Sequence, residues 1–147
     1  MMTAPAGFEV VSQYMAAAAA RDSERMNSLR SEEFVLDFVH ADAYENSPLS
    51  AKEAQMFWPA WFAAFPEFHL EVTRTIAAEE VVVTQWIFTA TNTGPLDPPI
   101  FEKRMEPTGK TIRIRGVSVY DITEGLIQRE SLYIDLATLI VELGVEL

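Results

Sequence analysis

Asp135 is the carboxylate in this sequence that is best placed for acid–base chemistry. It ends a strand-like run in which Tyr133 shares its face, and an apolar helical run beginning at Leu136 follows it. A carboxylate beside apolar surface is poorly solvated, which raises its pKa and makes it a better general base near neutral pH. The sequence therefore predicts Asp135 as a catalytic or ligand-anchoring group at the mouth of a cavity. The alternative is that Asp135 only caps the final helix, because Asp is a favoured N-cap residue.

Aromatic residues suited to contacting a flat apolar ligand cluster between Ser50 and Phe65. Most of this helical face must pack as core, but ligand pockets are largely apolar, so we expect it to supply pocket-lining rings as well. Its i, i+3, i+4 spacing is filled by Ala54, Phe57, Trp58, Trp61, Phe62 and Phe65.

The predicted ligand-binding residues come from both helices and strands. Tyr14 either packs at the core edge or reaches the cavity with its hydroxyl, since both uses suit an amphipathic ring. The full set of predicted ligand-binding residues is Tyr14, Trp58, Trp61, Phe62, Trp86, Phe88, Asn92, Ser118 and Tyr133.

Other catalytic chemistries find little support in the sequence. The chain has no Cys, which excludes disulfides, thiolate metal sites and cysteine nucleophiles. Its two histidines, His40 and His69, lack the spacing of metal ligands, and no motif pairs Ser118 or Ser131 with a histidine. No glycine-rich phosphate loop is present either. We therefore expect no metal site.

The composition indicates one globular domain spanning residues 1–147. With nearly half of its residues hydrophobic, the chain is long enough to bury a core and too apolar to be disordered. The net charge of -11 argues against nucleic acid or an anionic membrane as a partner. No signal peptide and no apolar run of membrane-spanning length is visible, so we expect a cytoplasmic protein.

The elements that position these residues are helices first and strands later. Helices that precede an antiparallel meander indicate an α+β fold. We expect a conical barrel: a strongly bent antiparallel sheet with the N-terminal helices packed in its concave face and one end open. Periodicity and capping signals predict helices over 8–20, 22–29 and 50–65, strands over 34–39, 68–77, 81–92, 112–120 and 126–135, and a helical tail ending near Gly144.

Two further features bear on the shape of the cavity. The parity of apolar residues switches between Ile114 and Val117, which predicts a bulge or a sharp bend at Gly116 that curls the sheet. The stretch 94–109 contains four prolines. A loop of this length is either a lid or a connection stiffened by proline, and the sequence leaves both open.

Several segments, spread over most of the chain, resemble those of one known family and follow the same order. They are Ala64-Phe65-Pro66-Glu67, the run 86–95, Pro107-Thr108-Gly109-Lys110, the run 115–120, Tyr133-Ile134-Asp135-Leu136 and Glu142-Leu143-Gly144. The family is the SnoaL-like polyketide cyclases, within the nuclear-transport-factor-2-like superfamily. The resemblance implies a cone-shaped α+β barrel, usually dimeric, and acid–base chemistry that needs neither a metal nor a cofactor.

The resemblance also implies site residues. In family cyclases a carboxylate removes a proton beside a carbonyl to start an intramolecular aldol condensation, and Asp135 matches that carboxylate. Asn46 resembles a polar residue of the loop that reads Tyr44-Glu45-Asn46-Ser47 here. The family often has histidine where this chain has Ser47 and Asn92.

Three functions remain as alternatives. The first is a cofactor-independent cyclase or isomerase acting on a small apolar carbonyl compound, which Asp135 favours. The second is a non-catalytic domain that binds a small apolar molecule in the same pocket, which the absent histidines favour. The third is an interaction domain whose sheet is mainly a dimer surface, with Arg113 and Arg115 pointing outwards. We expect a homodimer.

Overall fold

The computed structural model describes residues 5–39, 48–98, 100 and 103–145. Within these residues no helix is both long and apolar enough to cross a membrane. The elements in chain order are α1 (Ala6–Ala19), α2 (Ser23–Ser28), β1 (Arg30–Phe38), β2 (Leu49–Ser50), α3 (Ala51–Ala64), β3 (Phe68–Ala77), β4 (Val81–Thr91), β5 (Thr111–Thr123), β6 (Leu126–Ile134) and α4 (Leu136–Leu143).

The six strands form one curved, unclosed sheet in the order β2-β1-β6-β5-β4-β3. Strands β3 to β6 are the predicted antiparallel meander. Strand β1 pairs with β6 in parallel, which the sequence did not predict, and with β2 in antiparallel orientation. Because the helices pack against this sheet, the predicted α+β cone is confirmed.

Local capping and turn signals match the structure. Ser50 and Glu53 exchange side-chain and backbone hydrogen bonds of 3.2 Å at the start of α3, as the predicted capping box requires. Gly144 ends α4 in the left-handed region. The turn between β5 and β6 has positive φ at both Glu124 and Gly125, the geometry that suits a tight hairpin.

The predicted bulge at Gly116 is wrong. Strand β5 pairs with β4 in unbroken register through Gly116, which lies opposite Trp86. The change in parity does not mark a bulge, because Val117 and Val119 are half-buried on the outer face and are not part of the core. Gly116 is needed for a different reason: an added Cβ would overlap the Trp86 indole, which lies against this backbone.

The bulge that shapes the inner face lies in β6. Ile122 pairs with Ile127, whereas Asp121 pairs with Arg129, so Gln128 is an extra residue on the β6 side. A bulge of this kind shifts the alternation of side chains by one position. The residues that follow Gln128 therefore point to the opposite face from the one that an uninterrupted strand would give them.

Helix α1 is rotated relative to the predicted buried face. Phe8 is exposed and Met15 is only half-buried, whereas Tyr14 lies in the core. Gly7 explains the rotation, because an added Cβ there would press on Ile122 and Val82 at 3.0 Å. The helix therefore approaches the sheet along the side that bears Gly7, and this side carries Tyr14 inwards.

The segment after β4 is fastened at both ends. Asn92 donates through Nδ2 to the carbonyls of Ala64 (3.1 Å) and Gly94 (2.9 Å), and its Oδ1 accepts from the backbone N–H of Thr108 (2.7 Å). Leu96, which pairs with Met105, is fully buried. These contacts favour a fixed connection over a lid for the described part of 94–109.

Candidate functional site

A partly open, largely apolar cavity of about 70 Å³ lies between the helices and the concave face of the sheet. All three tryptophans of the chain contribute to its wall. The wall is formed by Tyr14, Met15 and Ala18 of α1, Met26 of α2, Phe38 of β1, Phe57, Trp58, Trp61 and Phe62 of α3, Phe68 and Leu70 of β3, Trp86 and Phe88 of β4, Ile114, Ser118 and Tyr120 of β5, and Glu130, Leu132 and Ile134 of β6.

One side of the cavity is an array of aromatic rings. Phe62 stacks on Phe68 with 5.8 Å between centroids and 12° between planes, and Trp58 stacks on Phe62 at 6.0 Å. Trp61 and Phe88 extend the array at 5.5 Å. The helical spacing of the aromatic residues in α3 brings these rings to one face, where they meet the rings of β3 and β4.

Most of the predicted ligand-binding residues are in this wall. Those that line it are Tyr14, Trp58, Trp61, Phe62, Trp86, Phe88 and Ser118. Asn92 does not line it, because both ends of its amide are used to fasten the segment after β4. Tyr133 does not line it either: the β6 bulge turns this residue outwards, where it is 47% exposed. Asn46, like Ser47 and His40, lies outside the described residues.

The environment predicted for Asp135 is wrong. The residue is exposed at the N-terminus of α4, where its Oδ1 accepts from the backbone N–H of Thr138 at 3.0 Å. Its Oδ2 accepts from the Thr138 hydroxyl at 2.6 Å. These hydrogen bonds hold the pKa of Asp135 below its ordinary value instead of raising it. Asp135 therefore caps the helix, and it lacks the raised pKa that would suit a general base near neutral pH.

Glu130 is the carboxylate that lines the cavity, and the sequence reasoning missed it. It is 2% exposed and lies directly opposite Tyr120 in the β5–β6 pair. The hydroxyl of Tyr14 donates to its Oε1 at 3.1 Å. Ser118 lies nearby on β5 and accepts a 3.0 Å hydrogen bond from the Trp86 indole. A small polar cluster is thus enclosed by an apolar wall.

Burial raises the pKa of Glu130 from 4.5 to about 7. Hydrogen bonds from Tyr14 and Tyr120 and the charge of Arg30 act in the opposite direction but do not cancel the effect of burial. Burial also raises the pKa of both tyrosines well above the ordinary value, with the Glu130 charge as the next cause. Near neutral pH the carboxyl can therefore both take and give a proton, while the two phenols remain protonated hydrogen-bond donors.

Arg30 is a buried cation that lies close to the rings of Tyr14 and Phe34. Its guanidinium carbon lies 5.1 Å from the centre of the Phe34 ring and 5.9 Å from that of Tyr14. Its Nε and Nη1 are buried, and no described residue is their hydrogen-bond partner. The rings partly compensate for the lost hydration of the cation, and its charge favours the ionised form of Glu130.

One signal in the sequence could have identified Glu130. It shares its parity with Leu132 and Ile134, so any strand that buries these two residues also buries the carboxylate. A buried carboxylate on an apolar face is unusual, and shifted pKa values of this kind mark functional sites more often than other positions.

No group of three or more His, Asp or Glu side chains within the described ranges is arranged to hold a metal ion. The chemistry that the described wall offers is proton transfer at Glu130, hydrogen bonding by Tyr14 and Tyr120, and apolar contact over the rest of the surface.

Solved structures share this fold at low sequence identity. A candidate SnoaL-like polyketide cyclase from Jannaschia sp. CCS1 is 16% identical with a TM-score of 0.81, covering 100% of this chain and 99% of that one. IdmH, a candidate polyketide cyclase from Streptomyces antibioticus, is 18% identical with a TM-score of 0.72, covering 93% and 97%. AclR, a candidate hydroxylase from Streptomyces galilaeus, is 22% identical with a TM-score of 0.74, covering 92% and 83%.

Among curated proteins, none matches the chain. The family model of the SnoaL-like polyketide cyclases, by contrast, matches residues 9–143, which is nearly the whole length. The expected family is thereby confirmed, with the fold of the nuclear-transport-factor-2-like superfamily. This chain belongs to the SnoaL-like polyketide cyclase family.

Proposed function

We propose that this protein is a cofactor-independent acid–base enzyme that acts on a small apolar carbonyl compound in the cavity. Glu130, as the carboxylate, removes a proton from the carbon beside the carbonyl and leaves an enolate. The enolate then either attacks a second carbonyl of the same molecule, as in an aldol cyclisation, or is reprotonated at another carbon, as in an isomerisation. In both cases Glu130 returns the proton that it took.

The observation that carries this proposal is that the Glu130 carboxyl lies buried in the cavity wall, and this burial raises its pKa to about 7. A general base works best when its pKa is near the working pH, because it is then both ionised and sufficiently basic. Glu130 meets this condition and lines the cavity. Asp135 does not meet this condition, because it is exposed, caps α4 and has a lowered pKa.

Tyr120 is the candidate donor to the developing enolate oxygen. Its one O–H is shared between the Glu130 carboxyl and the sulfur of Met15 at 3.2 Å, and the thioether is a weak acceptor. A ligand oxygen in the cavity is a stronger acceptor and can replace that contact. Donors aimed at an oxygen that gains charge during the reaction stabilise the transition state more than the ground state.

The second candidate function is a binding domain without turnover. The observation that favours it is that the cavity wall is almost wholly apolar, with Glu130 already hydrogen-bonded to Tyr14. In this case Glu130 anchors a ligand oxygen by a hydrogen bond and transfers no proton.

Exchange of carbon-bound hydrogen for deuterium tests the proposal without knowledge of the natural substrate. We suggest 2-tetralone, a flat apolar ketone, with NMR detection of the α-proton signals in deuterated buffer. The parent protein should accelerate exchange above the buffer rate. The rate should rise as pH increases through about 7, because the ionised carboxyl is the active form.

The two candidate functions give different results in this experiment. Saturable binding of 2-tetralone with exchange at the buffer rate would support the binding domain and contradict the enzyme. Accelerated exchange without a pH dependence near 7 would show proton abstraction by a group other than Glu130.

A further inference from the structure

Arg21 occupies a backbone position that normally belongs to glycine. It follows the last turn of α1 with a φ of 58°. Its N–H donates to the carbonyl of Ala18 at 3.0 Å, and the N–H of Asp22 donates to that of Ala17 at 2.9 Å. This pair of hydrogen bonds is the Schellman ending, in which the left-handed residue is usually Gly because a Cβ is disfavoured there. The chain thus has a long cationic side chain at a position where Gly, which has no Cβ, would be less strained.

The side chain of Arg21 packs on Phe68, a partly exposed residue of the cavity wall. Its guanidinium carbon lies 4.5 Å from the centre of the Phe68 ring. Phe68 lines the cavity and is half-buried, as are its neighbours Phe62 and Leu70, so these residues form part of the open edge. The cation is therefore held beside the opening by its contact with an aromatic ring of the wall.

Arg21 has no acidic partner within the described residues. Arg104 and Arg129, in contrast, lie within 4.0 Å of carboxylates, with Arg129 only 2.6 Å from Asp37. An unpaired guanidinium is unexpected in a chain with a net charge of -11. Its hydrogen-bonding groups remain available to an anion, and a guanidinium binds a carboxylate with two parallel hydrogen bonds.

We propose that Arg21 binds the carboxylate of a ligand whose apolar body lies in the cavity. The ligand class is therefore an apolar, ring-containing carboxylic acid, with the acid group at the rim and the rings against the aromatic wall. This inference rests on the proposed use of the cavity for an apolar ligand, but it does not depend on turnover.

Two ligands of nearly equal size test the proposal by calorimetric titration. One is 2-naphthoate, which carries a carboxylate, and the other is 2-acetylnaphthalene, which is neutral. The test variant is Arg21→Gly, because Gly relaxes the left-handed backbone while removing the cation. Arg21→Lys keeps the charge, and Arg74→Gln removes one exposed positive charge from β3 as a control for net charge.

The Arg21→Gly variant should bind 2-naphthoate about tenfold more weakly than the parent, while its affinity for 2-acetylnaphthalene stays within about twofold. Its melting temperature should be equal to or above that of the parent, which excludes misfolding as the cause. The Arg21→Lys variant should recover part of the affinity, and Arg74→Gln should match the parent.

Four results would overturn the inference. If Arg21→Gly binds 2-naphthoate as the parent does, or weakens both ligands equally, Arg21 has no role in acid recognition. If Arg74→Gln weakens 2-naphthoate as strongly as Arg21→Gly does, only the overall charge matters. If the parent binds neither ligand, the proposed function of the cavity fails together with this inference, whereas the other three results leave that function standing.

Discussion

At the scale of single residues, Glu130 and Asp135 are two carboxylates close in the chain with opposite environments. Glu130 lies among apolar side chains, and burial raises its pKa to about 7. Asp135 is exposed to solvent and accepts hydrogen bonds from Thr138, which lower its pKa. The difference arises from solvation and hydrogen bonding, which follow from the fold and not from residue type.

The raised pKa of Glu130 predicts how stability depends on pH. The folded protein holds this proton up to about pH 7, whereas the unfolded chain releases it near 4.5. Between these values the folded state binds more protons, so the free energy of unfolding falls as pH rises, by on the order of 3 kcal/mol from this group. The stabilisation from this group is fully present below about pH 4.5, and it is lost as the pH rises to about 7. Glu130→Gln stays neutral and should lack this fall.

Urea unfolding of the parent and the variant at several pH values between 4.5 and 8 measures this difference. Glu79→Gln, at an exposed position in the turn before β4, is the matched control and should keep the parental slope. An equal fall in the parent and in Glu130→Gln would contradict a buried, titrating Glu130.

At the scale of the elements, the bulge at Gln128 decides what faces the cavity. It sets the side chains that follow it so that Glu130, Leu132 and Ile134 point inwards and Tyr133 points outwards. The sequence correctly indicated that Leu132 and Ile134 share a face opposite Tyr133. It did not indicate which of the two faces is the inner one, since a bulge has no reliable signature in residue type.

Other elements were predictable because their signals are local. The capping box at Ser50 and the left-handed Gly144 are set by a few neighbouring residues, and both are present. The aromatic face of α3 follows from helical spacing. Gly116, in contrast, depends on Trp86 of the neighbouring strand, and such a contact across strands does not appear in the sequence of β5 alone.

At the scale of the whole molecule, the cone and the family were predictable because the resemblance extends along most of the chain. The surroundings of the buried carboxyl were not. Tyr14, Arg30 and Glu130 come from α1, β1 and β6, and they meet only when the sheet is assembled. Long-range encounters of this kind leave no spacing pattern in a single sequence.

We propose that the outer face of the sheet forms a homodimer. Ile76 is 51% exposed and Tyr133 47% exposed on this face, where Ile87 and Val117 are half-buried. Burying such residues against a second copy removes apolar area from water. Light scattering at micromolar concentration should give about twice the monomer mass of 16.5 kDa.

The variant Ile76→Lys tests which surface is used. It should shift the protein towards the monomer with little change in the melting temperature, because the side chain contributes little to the monomer core. A parent protein that is monomeric at these concentrations would contradict the homodimer, and a dimer that Ile76→Lys leaves intact would place the interface elsewhere.

We propose that Glu130, and not Asp135, is the group that moves the proton. Deuterium exchange into 2-tetralone at pH 8, compared between Glu130→Gln and Asp135→Asn, tests it most directly, because Gln preserves the shape at one position and Asn preserves the helix cap at the other. Glu130→Gln should lose roughly 10²–10⁴-fold of the exchange rate, while Asp135→Asn should keep the parental rate. Exchange at the parental rate in Glu130→Gln, with loss in Asp135→Asn, would contradict this proposal.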